Sequence, residues 1–129
     1  MEYGYDAFST ELPDDIFEIL LELGNKIGID PSASVESENY FCELLENYCG
    51  NKNEIREYFE SAIKKDFQVM KEKPRWIQGY DWQFNKGKPM IFVGQLDTIL
   101  KRDGVSYGTS FFVFWDDKDG TTKTITQSD

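Results

Sequence analysis

The spacing of apolar residues changes near Pro74, and this change constrains the fold more than any other feature of the sequence. Before Pro74, apolar residues recur every three or four positions, as in an amphipathic helix. After it, they form short dense runs that are typical of strands. Helices followed by strands predict an α+β fold, with three N-terminal helices packed on a small antiparallel sheet of three to four strands. We expect one domain, 1–129, with a helical half (1–73) and a sheet half (74–129).

Three helices are predicted in the helical half. The first begins at Pro13, which suits an early helical position, and carries apolar residues at helical spacing as far as Ile27. The second covers about residues 35–48. The third follows a capping box at residues 51–54 and has the clearest apolar periodicity, which continues to Met70.

The sheet half contains three strand-like runs and a hairpin signal. The run at 90–97 carries Gly94 at the position of a bulge, and the run at 110–115 is apolar on both faces, which predicts a central strand. The polar run at 121–127 predicts an edge strand, joined to the central one by a turn at 116–120 that contains glycine. Two further expectations are a short strand at 76–78 and a loop at 80–89.

The two cysteines, Cys42 and Cys49, are seven residues apart. Seven residues of helix rise about 10.5 Å, whereas a disulfide needs Cα atoms within about 7 Å. A continuous helix therefore predicts two free thiols on one face, where they act as small core residues. Because the chain also begins without the basic and apolar segments of a signal peptide, we expect a reducing, cytoplasmic location.

Composition excludes several classes of function. The chain has no histidine, which removes Ser-His-Asp, Cys-His and His-metal chemistry. No apolar run approaches the roughly 20 residues of a membrane span. The formal net charge is -10, whereas nucleic-acid binding needs clustered Lys and Arg. We therefore expect no enzyme activity, no metal or cofactor, and neither nucleic acid nor membrane as a partner.

The negative charge is confined to one part of the chain. Residues 1–70 hold 16 acidic and 5 basic residues, whereas residues 71–129 hold 8 and 9. An acidic helical surface of this kind is either a solvated face or a docking face for a cationic partner, because complementary charge speeds encounter and sets specificity. The acidic side chains that we select for partner binding are Asp14, Asp15, Glu18, Glu22, Glu43 and Glu46.

A second candidate surface combines aromatic and basic residues between the two halves. Trp76, Tyr80 and Trp82 interleave there with lysine and arginine. Such a mixture can stack single-stranded bases, but the overall charge opposes that interpretation. The same aromatics can close over a core, or they can anchor a protein interface, which is the function that we predict for them.

Three segments of the sheet half resemble the YwqG-like family of uncharacterised bacterial proteins. They are Trp-Ile-Gln at 76–78, Pro-Met-Ile-Phe-Val-Gly-Gln-Leu-Asp at 89–97 and Phe-Phe-Val-Phe-Trp-Asp at 111–116. The resemblance covers residues 74–129; members of the family carry a glycine- and proline-rich segment where this chain has helices. It implies an α+β fold and names no reaction. Some related small domains accompany polymorphic toxins, so the likeness also implies an immunity protein.

Two functions remain open at this stage. The first is a non-enzymatic bacterial immunity protein that neutralises a basic toxin, such as a nuclease, through its acidic surface. The alternative is a YwqG-like domain that binds a small ligand over the sheet. Its site would be Gln95 and Asp97, which lie two apart on a strand and so share a face. The structural alternative is that Asp97 makes a turn at the end of the strand and that Gln95 pairs with the backbone. The oligomeric state is not predicted.

Overall fold

The computed structural model describes residues 12–129 and confirms the α+β fold. In that part of the chain, three helices precede a two-stranded hairpin and a three-stranded antiparallel sheet. The helices are α1 (Asp14–Ile27), α2 (Val35–Glu46) and α3 (Ile55–Asp66), with a short 3-10 helix (Lys52–Glu54) before α3. The strands are β1 (Phe84–Asn85), β2 (Lys88–Pro89), β3 (Ile91–Arg102), β4 (Val105–Trp115) and β5 (Thr122–Ser128).

Helix α1 begins and ends where its sequence signals predict. Pro13 precedes its first residue, and two aspartates occupy the first turn, where the helix dipole favours negative charge. Gly28 ends the helix in the left-handed conformation with φ of 81°, and its N–H donates to the carbonyl of Gly24. The buried face presents Ile16, Leu20 and Leu23 to the core.

Helix α2 ends at Glu46, two residues earlier than predicted. Ser34 caps its start by accepting a hydrogen bond from the Ser37 N–H at 3.1 Å. Because the helix stops before Cys49, the two cysteines do not share a helical face. Cys42 is buried and Cys49 is exposed, so the expectation of two core cysteines is wrong for Cys49, while the expectation that the two form no disulfide is confirmed.

Helix α3 is capped as predicted but ends at Asp66 instead of continuing to Met70. The Asn51 side chain accepts a hydrogen bond from the Glu54 N–H, as the capping box requires. Beyond Asp66 the chain is extended and pairs with the sheet edge. The Phe92 N–H donates to the Gln68 carbonyl, and the Met70 N–H donates to the Phe92 carbonyl, both at 2.9 Å. Sheet pairing thus replaces the last predicted turn of helix.

The three-stranded sheet has the order β3-β4-β5, so β4 is central and β5 is an edge, as predicted. The pairing of β3 with β4 shifts register between Phe92 and Gly94, which confirms the bulge. Both strands are longer than predicted. Their ladder continues to the pair Arg102–Val105 and forms a hairpin arm, residues 98–109, that apolar patterning did not predict.

The register assigns the side chains of this sheet to two faces. The inner face carries Phe112 and Phe114, which are fully buried and form one core with the three helices. The outer face carries the alternate positions, among them Leu96 and Phe111, and none of its side chains belongs to that core. The helices therefore cover only one side of the sheet, as in a two-layer α+β fold.

A strap, defined as residues 75–79, crosses the inner face without forming the strand predicted at 76–78. The Trp76 ring stacks on Phe112, with centroids 4.7 Å apart. The strap backbone bonds to side chains of β3 and β5 instead of to a neighbouring strand. The loop predicted at 80–89 also contains regular structure, since β1 and β2 form a short hairpin there.

Candidate functional site

Two acidic side chains of α1 face one basic side chain of the short 3-10 helix and one of α3. Asp15 lies 3.8 Å from the Lys52 ammonium, and Glu22 contacts the Arg56 guanidinium. All four groups are exposed, so each ion pair adds little stability. The pairs nevertheless cancel part of the negative charge that the sequence places on α1. Asp14 and Glu18 are exposed on the same helix.

Helix α2 carries a more uniform acidic surface. Glu36, Glu43 and Glu46 are exposed on one side of the helix, and Asn39 lies between them. The buried residues of α2 lie on the opposite side, so these carboxylates point away from the core. No basic side chain within residues 12–129 forms an ion pair with any of the three. We call Glu36, Glu43 and Glu46 the acidic stripe; it extends about 15 Å along the helix.

The structure separates the three predicted aromatic anchors. Trp82 is only 5% exposed and donates its indole N–H to the Met90 carbonyl at 2.8 Å. Trp76 is half-buried and donates its indole N–H to the Gly28 carbonyl. Tyr80 is exposed. The two tryptophans therefore act mainly in packing, and Tyr80 alone offers a free aromatic ring to a partner.

Gln95 and Asp97 are brought together, as their spacing predicts, in a network that holds the strap. Gln95 accepts a hydrogen bond from the Arg75 N–H at 2.8 Å and donates its amide to Asp97. Asp97 also accepts from the Ser110 hydroxyl and from the Arg75 guanidinium. Ser110, followed by Arg75 and Gln95, lowers the pKa of Asp97 to about 2.

Two residues of this region, Arg75 and Gln127, were missed by sequence reasoning. Gln127 is buried, accepts hydrogen bonds from the N–H groups of Ile77 and Gln78, and donates to the Gly79 carbonyl. The strap is thus held by side chains of both edge strands, β3 and β5. The only signal was the β-strand pattern of residues 121–127, which turns the side chain of Gln127 inward.

The pKa values of Tyr40 and Asp119 are also strongly shifted, and both side chains make contacts that hold the fold together. Burial, followed by the hydrogen bond to Asp66, raises the pKa of Tyr40 far above its ordinary value. The Thr121 backbone N–H and side chain lower the pKa of Asp119, which also contacts Lys86 at 3.1 Å. Packing of α2 on α3 accounts for the shift of Tyr40. The β4–β5 turn accounts for the shift of Asp119, and this turn lies at residues 116–120, as predicted.

Neither a metal site nor a membrane span is found within the described range. No group of three or more acidic or cysteine side chains in residues 12–129 could hold a metal ion. No helix in that range is long and apolar enough to cross a membrane.

Comparison with protein-family models, with curated proteins and with solved structures gives no significant match for this chain. The resemblance to the YwqG-like family therefore stays a prediction.

Proposed function

We propose that this chain is a non-enzymatic binding protein of the bacterial cytoplasm, and that it acts as an immunity protein that neutralises a basic toxin. The observation that carries the proposal is the acidic stripe. Its three carboxylates are exposed, point away from the core and have no ion-pair partner within the described residues. A cationic protein that docks there would find acceptors that the fold itself does not use.

The stripe suits the inhibition of a nuclease in particular. A nuclease presents lysine and arginine where phosphates bind, because phosphate contacts dominate nucleic-acid affinity. Opposed charges accelerate association and exclude partners of the wrong charge. The acids of α1 have a secondary part in this proposal, since Asp15 already pairs with Lys52 and Glu22 with Arg56. Asp14 and Glu18 supply further negative field, and Tyr80 could contribute an aromatic contact.

A growth-rescue experiment tests the proposal directly. The basic protein encoded beside this chain is expressed in a bacterial host, alone and together with the chain. We expect growth arrest by the basic protein alone and recovery when the chain is present. The double variant Glu43→Lys/Glu46→Lys should fail to restore growth, because it reverses two charges of the acidic stripe.

The matched control is Glu57→Lys/Asp117→Lys. It makes the same change in net charge at two exposed acids that form no ion pair in the described structure and lie outside the stripe. This control should restore growth as well as the parent chain does. The proposal fails if the neighbouring protein is harmless, or if both double variants rescue equally.

A second candidate is the YwqG-like role, with a small ligand bound over Gln95 and Asp97. The observation in its favour is the convergence of the exposed side chains Arg75 and Asp97 with Gln95 and the buried Ser110. Against it, these groups already satisfy one another. A thermal-shift screen decides: a metabolite that stabilises the parent chain saturably, but not Asp97→Ala, would favour this role.

A further inference from the structure

The outer face of the sheet is almost free of charge. Charged residues make up 29% of the whole sequence, and the solvent face of an antiparallel sheet is ordinarily polar. Yet among the outward positions of β3, β4 and β5 only Arg102, at the tip of the hairpin arm, bears a charge. The charged side chains Asp97, Lys101 and Lys123 all occupy positions of the inner face.

The uncharged face is also apolar over two of its three strands. Leu96 is 65% exposed, although it lies opposite Phe111 in the middle of the ladder. At the arm, a hollow of about 380 Å³ is lined by Leu100, Tyr107, Thr109 and Ser128, with the basic side chains of Lys101 and Arg102 at its border. On β5 the outward positions are the small hydroxyl residues Thr122, Thr124, Thr126 and Ser128. Exposed apolar patches with few charges are typical of interaction surfaces.

We propose that this face is a dimer interface, and that its occupant is a second copy of this chain. In a contact related by a twofold axis, the same patch of one copy packs against that patch of the other, so the patch must be compatible with itself. Such a contact would be repulsive on the helical half, which carries most of the net charge of -10. On the outer face, by contrast, two copies meet without opposing carboxylates. Both helical layers then lie on the outside of the stacked sheets.

The area of the face sets the expected strength of this dimer. Strands lie about 4.8 Å apart and rise about 3.3 Å per residue, so three strands of up to about 11 residues cover roughly 500 Å². A standard stable interface buries about 800 Å² on each partner. The face therefore falls in the class of weak interfaces, and we expect dissociation in the micromolar range or above.

Sedimentation equilibrium of the full chain, from low micromolar to about 500 μM, tests the proposal. The average mass should rise from 15.0 kDa toward twice that value. Added salt should strengthen the association, because it screens the repulsion between two acidic molecules without weakening apolar contacts. A constant mass of 15.0 kDa over this range would overturn the proposal.

The variant Leu96→Lys distinguishes this face from other modes of association. It places a charge in the middle of the proposed contact and should stay monomeric at every concentration. Because the Leu96 side chain is largely exposed, the variant should fold normally. The matched control is Val35→Lys, at an apolar residue 56% exposed that begins α2 in the helical half, and it should dimerise like the parent. Equal association of both variants, or association that weakens with salt, would contradict the proposal.

Discussion

Replacing Gln127 by alanine should release the strap from β5. The Gln127 side chain is 6% exposed and makes three hydrogen bonds to the strap backbone. Its oxygen accepts from the Ile77 N–H at 2.7 Å and from the Gln78 N–H at 2.9 Å, and its amide donates to the Gly79 carbonyl at 2.7 Å. No other side chain in the described structure bonds to these three backbone groups.

The expected loss of stability follows from these contacts. Each hydrogen bond contributes about 0.5–1.5 kcal/mol net, and the sum for three is about 3 kcal/mol. The strap backbone at residues 77–79 is exposed, however, so water can replace part of what alanine removes. We therefore expect the free energy of unfolding to fall by about 2 kcal/mol. For a chain of this length that is roughly 6–10 °C in melting temperature.

Urea unfolding at neutral pH measures this loss, with Thr126→Ala as the control on the adjacent, outward position of β5. The control should cost at most about 0.5 kcal/mol, as expected for an exposed site. Amide hydrogen exchange gives a local readout: the Ile77 and Gln78 amides should exchange faster in Gln127→Ala. An unchanged exchange rate at both amides, or a loss no larger than that of Thr126→Ala, would refute the role given to Gln127.

Three further predictions follow from single residues. The pKa of Asp97 is lowered from 3.8 to about 2, so its contacts stabilise the fold fully above about pH 4 and lose this effect as pH falls through 2. The urea midpoints of the parent and Asp97→Asn should accordingly differ at neutral pH and converge near pH 2. In the native chain a thiol reagent should label exposed Cys49 rapidly, and buried Cys42 only on unfolding; simultaneous labelling would contradict the assigned burial. Phe59→Ala, at a site with no solvent exposure, should lower the free energy of unfolding by about 3–5 kcal/mol in calorimetry, and a loss below about 1 kcal/mol would contradict its core position.

Local signals were sufficient to predict the elements that depend on local physics. The cap at Asn51, the bulge at Gly94 and the central position of β4 all follow from residue types at particular spacings. The errors arise where tertiary contacts prevail. The chain after Asp66 has helical periodicity, yet it pairs with Phe92 because the edge of β3 offers backbone partners.

The hairpin arm and the strap were missed for related reasons. Residues 98–109 mix apolar, charged and glycine residues without a strand pattern, and only pairing of β3 with β4 makes them regular. The strap bonds through the side chains of Gln95 and Gln127, which are distant in sequence, so no local pattern reveals it. Of the candidate site, the charge was visible in the sequence. Which acids of α1 pair with Lys52 and Arg56 depends on helix packing, which the sequence does not display.

The two proposed surfaces lie on opposite sides of the sheet, and this makes them separable by mutation. Tyr40 and Phe41 of α2 belong to the core that the inner face helps to form, and the acidic stripe points away from that core, whereas Leu96 lies on the outer face. A dimer through the outer face would leave both acidic stripes free, and it could bind two cationic partners at once. Leu96→Lys should therefore abolish self-association while leaving rescue from the toxin intact. Glu43→Lys/Glu46→Lys should do the reverse, because reversing two charges on the helical layer leaves the sheet contact unchanged. If either variant removed both properties, the two surfaces would be coupled, and a single interface would have to account for both.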